Sequence, residues 1–165
     1  MSSIKIRTSE LEDLPALTEI YNEQVSTGIA TFDTEVKSLA ERREWFHFHQ
    51  NPKYPLISAL ANDTVAGWGS LSPFHPRPAY DPSTEFSVYI HQNFRGQGIG
   101  EAIVRELLHR AGILGFHSVI GLITGENVAS LELSKKLGFE TVGKYREVGK
   151  KFDRWLDVVC VQYML

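Results

Sequence analysis

The chain has 165 residues, 42% hydrophobic and 22% charged, which points to one domain over residues 1–165 with a single sizeable core. A formal net charge of −3 lacks the basic footprint of a nucleic-acid binder, and no apolar run is long enough to span a membrane. Cys160 is the single cysteine, which excludes an intrachain disulfide and fits a reducing compartment; the cytoplasm is the expected setting.

The N-terminus, Met1 to Arg7, alternates and has no apolar signal core; Ile4 to Arg7 reads as a strand. Ser9 with Glu12 has capping-box spacing, and Pro15 belongs in a first turn, so a helix is expected from about Asp13. Leu11, Leu14, Leu17 and Ile20 give it an apolar stripe. Thr27 to Lys37 has no period and reads as a loop. Ser38 with Glu41 starts a second helix carrying Trp45, Phe46 and Phe48, ended by Asn51-Pro52.

Leu56 to Ala61 and Thr64 to Leu71 flank Asn62-Asp63, a hairpin signal. Gly67 and Gly69 beside Trp68 predict a close approach to that strand. Pro73 to Pro82 holds four prolines and cannot be regular; its Phe74, His75, Arg77 and Tyr80 make it a candidate substrate wall. Glu85 to Ile90 reads as the next strand, and Ile99 to about Gly112 as a helix with Ile99, Ile103, Leu107 and Ala111 on one face. His117 to Ile123 is an apolar strand. Asn127 caps a helix that stops at Gly138. Phe139 to Glu147 and Trp155 to Met164 are the last strands, joined through Gly149-Lys150-Lys151. Helices and strands intermix throughout, which predicts an α/β domain with a mixed sheet.

Between the central strand and the helix that follows lies Arg95-Gly96-Gln97-Gly98-Ile99-Gly100. Strand, glycine-rich turn and helix place free backbone N–H groups at a helix N-terminus, where they bind an anion. The tenant expected is a phosphate or pyrophosphate. The dinucleotide fingerprint is not met, because the third glycine comes one residue early at Gly100, and no Gly-Lys-Ser/Thr follows for a P-loop.

The turn resembles the Arg/Gln-x-x-Gly-x-Gly/Ala signature of the GNAT superfamily of N-acetyltransferases. Asn127-Val128-Ala129-Ser130 followed by Leu137-Gly138-Phe139 is similar to a second segment of that superfamily. Tyr21-Asn22, Ala30-Thr31-Phe32-Asp33-Thr34-Glu35, Glu85 to Ile90 and Arg146 to Asp157 resemble, more narrowly, the phosphinothricin and methionine sulfoximine N-acetyltransferases.

The resemblance implies the GNAT acyl-CoA N-acyltransferase fold, acetyl-CoA as donor, a small-molecule amine as acceptor, and a homodimer. It implies that the glycine turn holds the pyrophosphate of acetyl-CoA. It also implies that the strand at Val88, Tyr89 and Ile90 contacts the pantetheine chain, and that Asn127 and Ser130 belong to the cofactor site. Glu85, at the start of the strand leading into the turn, is the candidate base. Ser134 stands where many members carry a Tyr, or in the narrower family often a His, as general acid. Arg77 and His75 are candidates for an acceptor carboxylate, since arginine binds one in bidentate fashion. Phe32 and Tyr80 are candidates for an apolar pocket wall. Six histidines show no metal-ligand spacing, so no metal is expected. Two other readings stay open: an acetyltransferase for peptide or protein N-termini, and a CoA-binding sensor without turnover.

Overall fold

The computed structural model describes residues 3–165, so the reading of Met1 and Ser2 lies outside the described residues. Seven strands form one sheet: β1 (Ile4–Thr8), β2 (Leu56–Ala61), β3 (Thr64–Pro73), β4 (Ser83–Ile90), β5 (Ser118–Thr124), β6 (Glu140–Lys151) and β7 (Arg154–Met164). Their spatial order is β1-β2-β3-β4-β5-β7-β6. Only the central β4–β5 pair is parallel, so the sheet is mixed as expected. The helices are α1 (Leu14–Thr27), α2 (Leu39–Phe48), α3 (Ile99–Ile113) and α4 (Val128–Lys136).

Alternation along β3 decides which helix packs on which face. Trp68 points to one side and joins Leu14, Leu17 and Ile20 of α1 and Phe46 of α2 in a core cluster. Gly69 points to the other side, where α3 lies so close that an added Cβ would sit 2.4 Å from Cγ2 of Ile103. That is the close approach expected at the two glycines. The predicted face of α3 is buried there, since Ile99, Ile103, Leu107 and Ala111 are all core residues.

Local signals mostly hold. Asn62 and Asp63 both take positive φ, 50° and 60°, as a tight two-residue hairpin requires. Ser38 and Glu41 form the predicted capping box, with Glu41 N donating to Ser38 Oγ over 3.2 Å.

Two local expectations are corrected. The first capping box lies one residue later: Glu10 N donates to Asp13 Oδ2 at 2.9 Å. Ser9 is drawn inward instead, sharing a 2.7 Å hydrogen bond with the buried Ser58. Asp13 is buried and takes two hydrogen bonds from Arg7, at 2.6 and 2.8 Å. The last hairpin does not turn at Gly149-Lys150-Lys151. Those residues continue β6, and the turn is Phe152-Asp153, with φ of 52° and 57°. The physical reason is Lys151, which is 4% exposed; its ammonium donates to the carbonyls of Gln24 (3.0 Å) and Thr31 (2.9 Å) and is held in the strand.

Candidate active site

The site begins where the sheet comes apart. β4 pairs with β5 at Ser83–Ser118, Thr84–Val119 and Glu85–Ile120, and their pairing stops there. Beyond Glu85 the two parallel strands diverge, leaving backbone groups of β4 free on that side. Two cavities fill the fork. The smaller, about 310 Å³, is lined by Glu85, Ser87, Phe32, Thr31, Thr124 and Ser134 among others. The larger, about 680 Å³, runs from Val88, Tyr89 and Ile90 along Arg95, Gly96 and Gly98 to the first turn of α3. Ala30, Val88, Tyr89, Asn127, Ser130 and Leu133 line both, so they form one continuous cleft.

The larger arm has the features of an anion cradle. Gly98 caps α3 with φ 80°, and Gly96 has φ 73°. A Cβ added at either would meet no atom within 4 Å, so backbone conformation, not crowding, calls for glycine there. The first-turn amides of α3 open toward the cleft. Asn127 is the N-cap of α4, its Oδ1 accepting from Ser130 N at 3.3 Å, and it also lines the cleft. Lys136, in the last turn of α4, lines the same arm and pairs with Glu101 at 2.5 Å.

The smaller arm holds Glu85 and Ser134. Glu85, Ser87 and Tyr89 share one face of β4 by alternation. Burial pushes the Glu85 carboxyl above its ordinary value, which favours a group able to take up a proton. Ser134 is 3% exposed and faces the same cavity from α4. The wall opposite is the segment between α1 and α2. Lys151 grips its Thr31 carbonyl, Thr124 Oγ1 donates to Ile29 O at 2.6 Å, and Tyr89 Oη donates to Ala30 O at 3.4 Å. Tyr21 adds a short hydrogen bond to Asp33; burial and that carboxylate push the phenol up to about 12.

Most predicted site residues therefore meet in the cleft: Glu85, Ser134 and Phe32 in the smaller arm, and Val88, Tyr89, Ile90, Arg95, Gly96, Gly98, Ile99, Gly100, Asn127 and Ser130 in the larger. Four do not. Gln97 turns away, its amide donating to Asn93 O at 3.4 Å. His75, Arg77 and Tyr80 are exposed on the proline-rich segment that joins β3 to β4. They pack on one another, His75 against Tyr80 at 4.6 Å, and line neither arm. Pro76 and Pro78 hold that segment in a short turn of its own. Arg95 is in place, yet its charge is already taken by Glu23 at 2.7 Å. Sequence reasoning misses Thr31 and Thr124, and it leaves Lys136 and Lys151 undistinguished within a run of cations from Lys135 to Arg154. No period marks any of them, and each becomes a site residue only through a contact distant in sequence.

A family model described as an acetyltransferase (GNAT) domain matches residues 3–140, more than four-fifths of the chain. The chain belongs to the GNAT acetyltransferases. It is an N-acetyltransferase domain with acetyl-CoA as the acetyl donor, and the residues of the larger arm fit that donor through the glycine cradle and the unpaired side of β4. A curated relative from Pseudomonas paraeruginosa, an L-methionine sulfoximine/L-methionine sulfone acetyltransferase, is 35% identical over 99% of this chain and 95% of its own length. A phosphinothricin acetyltransferase of this superfamily from Sinorhizobium meliloti, solved with acetyl-CoA, superposes with a TM-score of 0.96 at 37% identity, covering 100% of this chain and 89% of its own. A ribosomal-protein-alanine N-acetyltransferase from Brucella melitensis superposes with a TM-score of 0.95 at 36% identity, covering 98% and 99%.

Proposed function

We propose that this enzyme moves an acetyl group from acetyl-CoA to the α-amine of a small amino acid or analogue by direct attack. Methionine sulfoximine, methionine sulfone and phosphinothricin are the leading acceptors. The observation that carries the reading is the position of Glu85. It stands at the vertex of the β4–β5 fork, in the smaller arm of a cleft whose other arm ends on the glycine turn.

Each residue has a part in that reading. Glu85, with its raised affinity for a proton, takes the proton that the attacking ammonium must lose, directly or through one water. The free backbone of β4 past Glu85 aligns the donor and supplies an N–H where negative charge develops. The first-turn amides of α3 and the glycines ahead of them hold phosphate. Ser134 donates a hydrogen bond toward the leaving sulfur; its hydroxyl is too weak an acid to do more. Phe32 and the Ala30–Thr31 backbone form the wall that confines the acceptor.

Supporting the small-acceptor reading are the names of two full-length relatives and the modest volume of the smaller arm, about 310 Å³. The Brucella relative, named for a ribosomal-protein alanine, supports a second reading in which a peptide N-terminus is the acceptor. The proposed working form is a homodimer in a reducing cytoplasm. Tyr145, Val148, Phe152 and Trp155 leave an exposed apolar surface on the β6–β7 hairpin, suited to a second copy of the chain. Light scattering that shows only monomer overturns the dimer.

The test is acetyl-CoA-dependent thiol release with the three analogues, ordinary amino acids and alanine-starting peptides. Turnover on the sulfone or sulfoximine is the expected result. Release with peptides alone supports the second reading and discards the first. Acetyl-CoA binding without release on any acceptor discards both and favours a sensor.

A further inference from the structure

A third cavity, about 360 Å³, lies on the α1–α2 face of the sheet and shares Ser87 and Tyr89 with the catalytic arm. Its floor is hydroxyl-rich, with Ser70 and Ser72 of β3 beside Ser87 of β4. At its far end sits Arg42, 5% exposed. The guanidinium stacks over Trp45, 3.5 Å from the ring centroid, and lies 4.5 Å from that of Tyr21. Stacking engages the face of the guanidinium and leaves its edge N–H groups to find acceptors. They find none: Nε and Nη2 of Arg42 are buried without a hydrogen-bond partner among the described residues, and so is Nε1 of the neighbouring Trp68.

Buried donors in a folded chain are almost always paired, so three unpaired ones around one cavity mark a place built for something else. The acids nearby are already engaged. Asp33 takes the Tyr21 hydroxyl and lies 3.8 Å from Lys37; Glu41 caps α2 through Ser38 at 2.8 Å. Burial lowers the Arg42 pKa to about 10, which still leaves it a cation at neutral pH. Every buried side-chain group left unpaired here is a donor, and Arg42 is a cation with no carboxylate in contact with it among the described residues. The complement is a compact oxyanion.

Position along the strands says which oxyanion. Glu85 pairs with Ser72 and Tyr89 with Trp68, so the catalytic carboxylate and the Arg42 end are four residues apart, roughly 13 Å of strand. An α-carboxylate lies too close to the reacting amine to span that distance. A group at the end of the acceptor's side chain is placed correctly.

We propose that the Arg42 cavity is a subsite for a distal oxyanion (carboxylate, phosphinate or sulfonate) on the side chain of the acceptor, with Arg42 and Trp68 as its donors. The proposal rests on the amino-acid acceptor reading above and sharpens it. The enzyme then prefers acceptors with an anionic side-chain terminus over isosteric neutral ones, and the selecting residue lies on α2, outside the cleft walls recognised from sequence.

The experiment compares phosphinothricin, anionic at its terminus, with methionine sulfone, neutral there, on wild type, Arg42→Gln and Arg42→Lys. The expected result is a rise in KM for phosphinothricin of about tenfold or more in Arg42→Gln, as for a lost charged hydrogen bond. Arg42→Lys recovers part of the loss, and KM for methionine sulfone and acetyl-CoA stays within about twofold. An equal change on both acceptors, or none on either, overturns the subsite. If wild type acetylates no amino acid, the acceptor reading fails separately, and binding decides the subsite. Trp45 and Trp68 flank Arg42, so phosphinothricin or inorganic phosphate entering the cavity changes tryptophan emission in wild type. No change in the wild-type protein overturns the subsite whether or not the variants fold.

Discussion

The two arms of the cleft are built in different ways. The cofactor arm is built around one continuous stretch, β4 into the glycine turn into the first turn of α3, residues 88–101, with α4 and the chain after α1 closing its sides. The smaller arm, proposed for the acceptor, is assembled from Thr31 and Phe32, Glu85, Ser87, Thr124 and Ser134, brought together by sheet order and by long-range hydrogen bonds. A site made by local chain geometry answers to local substitutions. A site made by tertiary contacts fails when a distant support is removed.

The largest effect expected is at the point where the arms meet. Glu85→Gln lowers kcat about 10²-fold or more, the range for losing a general base, while the KM for acetyl-CoA stays near wild type. Wild-type kcat in that variant retires Glu85 as the base. In the cofactor arm, Gly98→Ala keeps all its surroundings, since no atom lies within 4 Å of the new Cβ, but imposes a left-handed conformation costing about 1–2 kcal/mol. Acetyl-CoA affinity measured by calorimetry therefore drops about tenfold. Affinity unchanged means that the turn does not shape the cofactor arm.

In the acceptor arm the telling variant is remote. Lys151→Met removes the ammonium that holds the carbonyls of Gln24 and Thr31, so the acceptor KM rises several-fold with little change in acetyl-CoA KM. Lys151→Arg recovers part of the loss. Equal effects on both KM values would show that the arms are not separable.

The smallest effect is on stability and contrasts two carboxylates. At Asp13 burial alone would raise the pKa, but hydrogen bonds from Arg7, Glu10 N and Ser58 outweigh it and hold the group below its ordinary 3.8. A carboxyl depressed in the folded state contributes stability above the unfolded pKa and loses it as pH falls through the folded one. Urea midpoints should therefore drop below about pH 4, and Asp13→Asn should flatten that drop. Glu85 has the opposite sign: raised by burial, it opposes folding once pH passes its unfolded value. Glu85→Gln should be slightly more stable than wild type at neutral pH. A Glu85→Gln protein less stable than wild type would show that the carboxylate is structurally satisfied.

Legibility followed the same division. The hairpin at Asn62-Asp63, the cap at Ser38 and the apolar face of α3 depend on residues within a turn or two of one another, and sequence spacing displays them. The turn at Phe152-Asp153 was misplaced because glycine is the usual turn signal, while Asp153 tolerates a left-handed conformation and buried Lys151 keeps the strand going. Arg77 and His75 looked like carboxylate binders by residue type, but their prolines keep them on a separate turn. Arg42 carries no signal of its own in the sequence, and only the packing of α2 on Trp68 and Tyr21 reveals it as a buried cation.

By itself the sequence determined the alternation of helices and strands and the glycine turn between β4 and α3, because φ preference, side-chain periodicity and capping act between near neighbours. The tertiary structure alone decided the fork between β4 and β5, the grip of Lys151 on the acceptor wall and the unpaired state of Arg42. Those depend on which groups far apart in the chain meet, and which are left without a partner, once the sheet has closed.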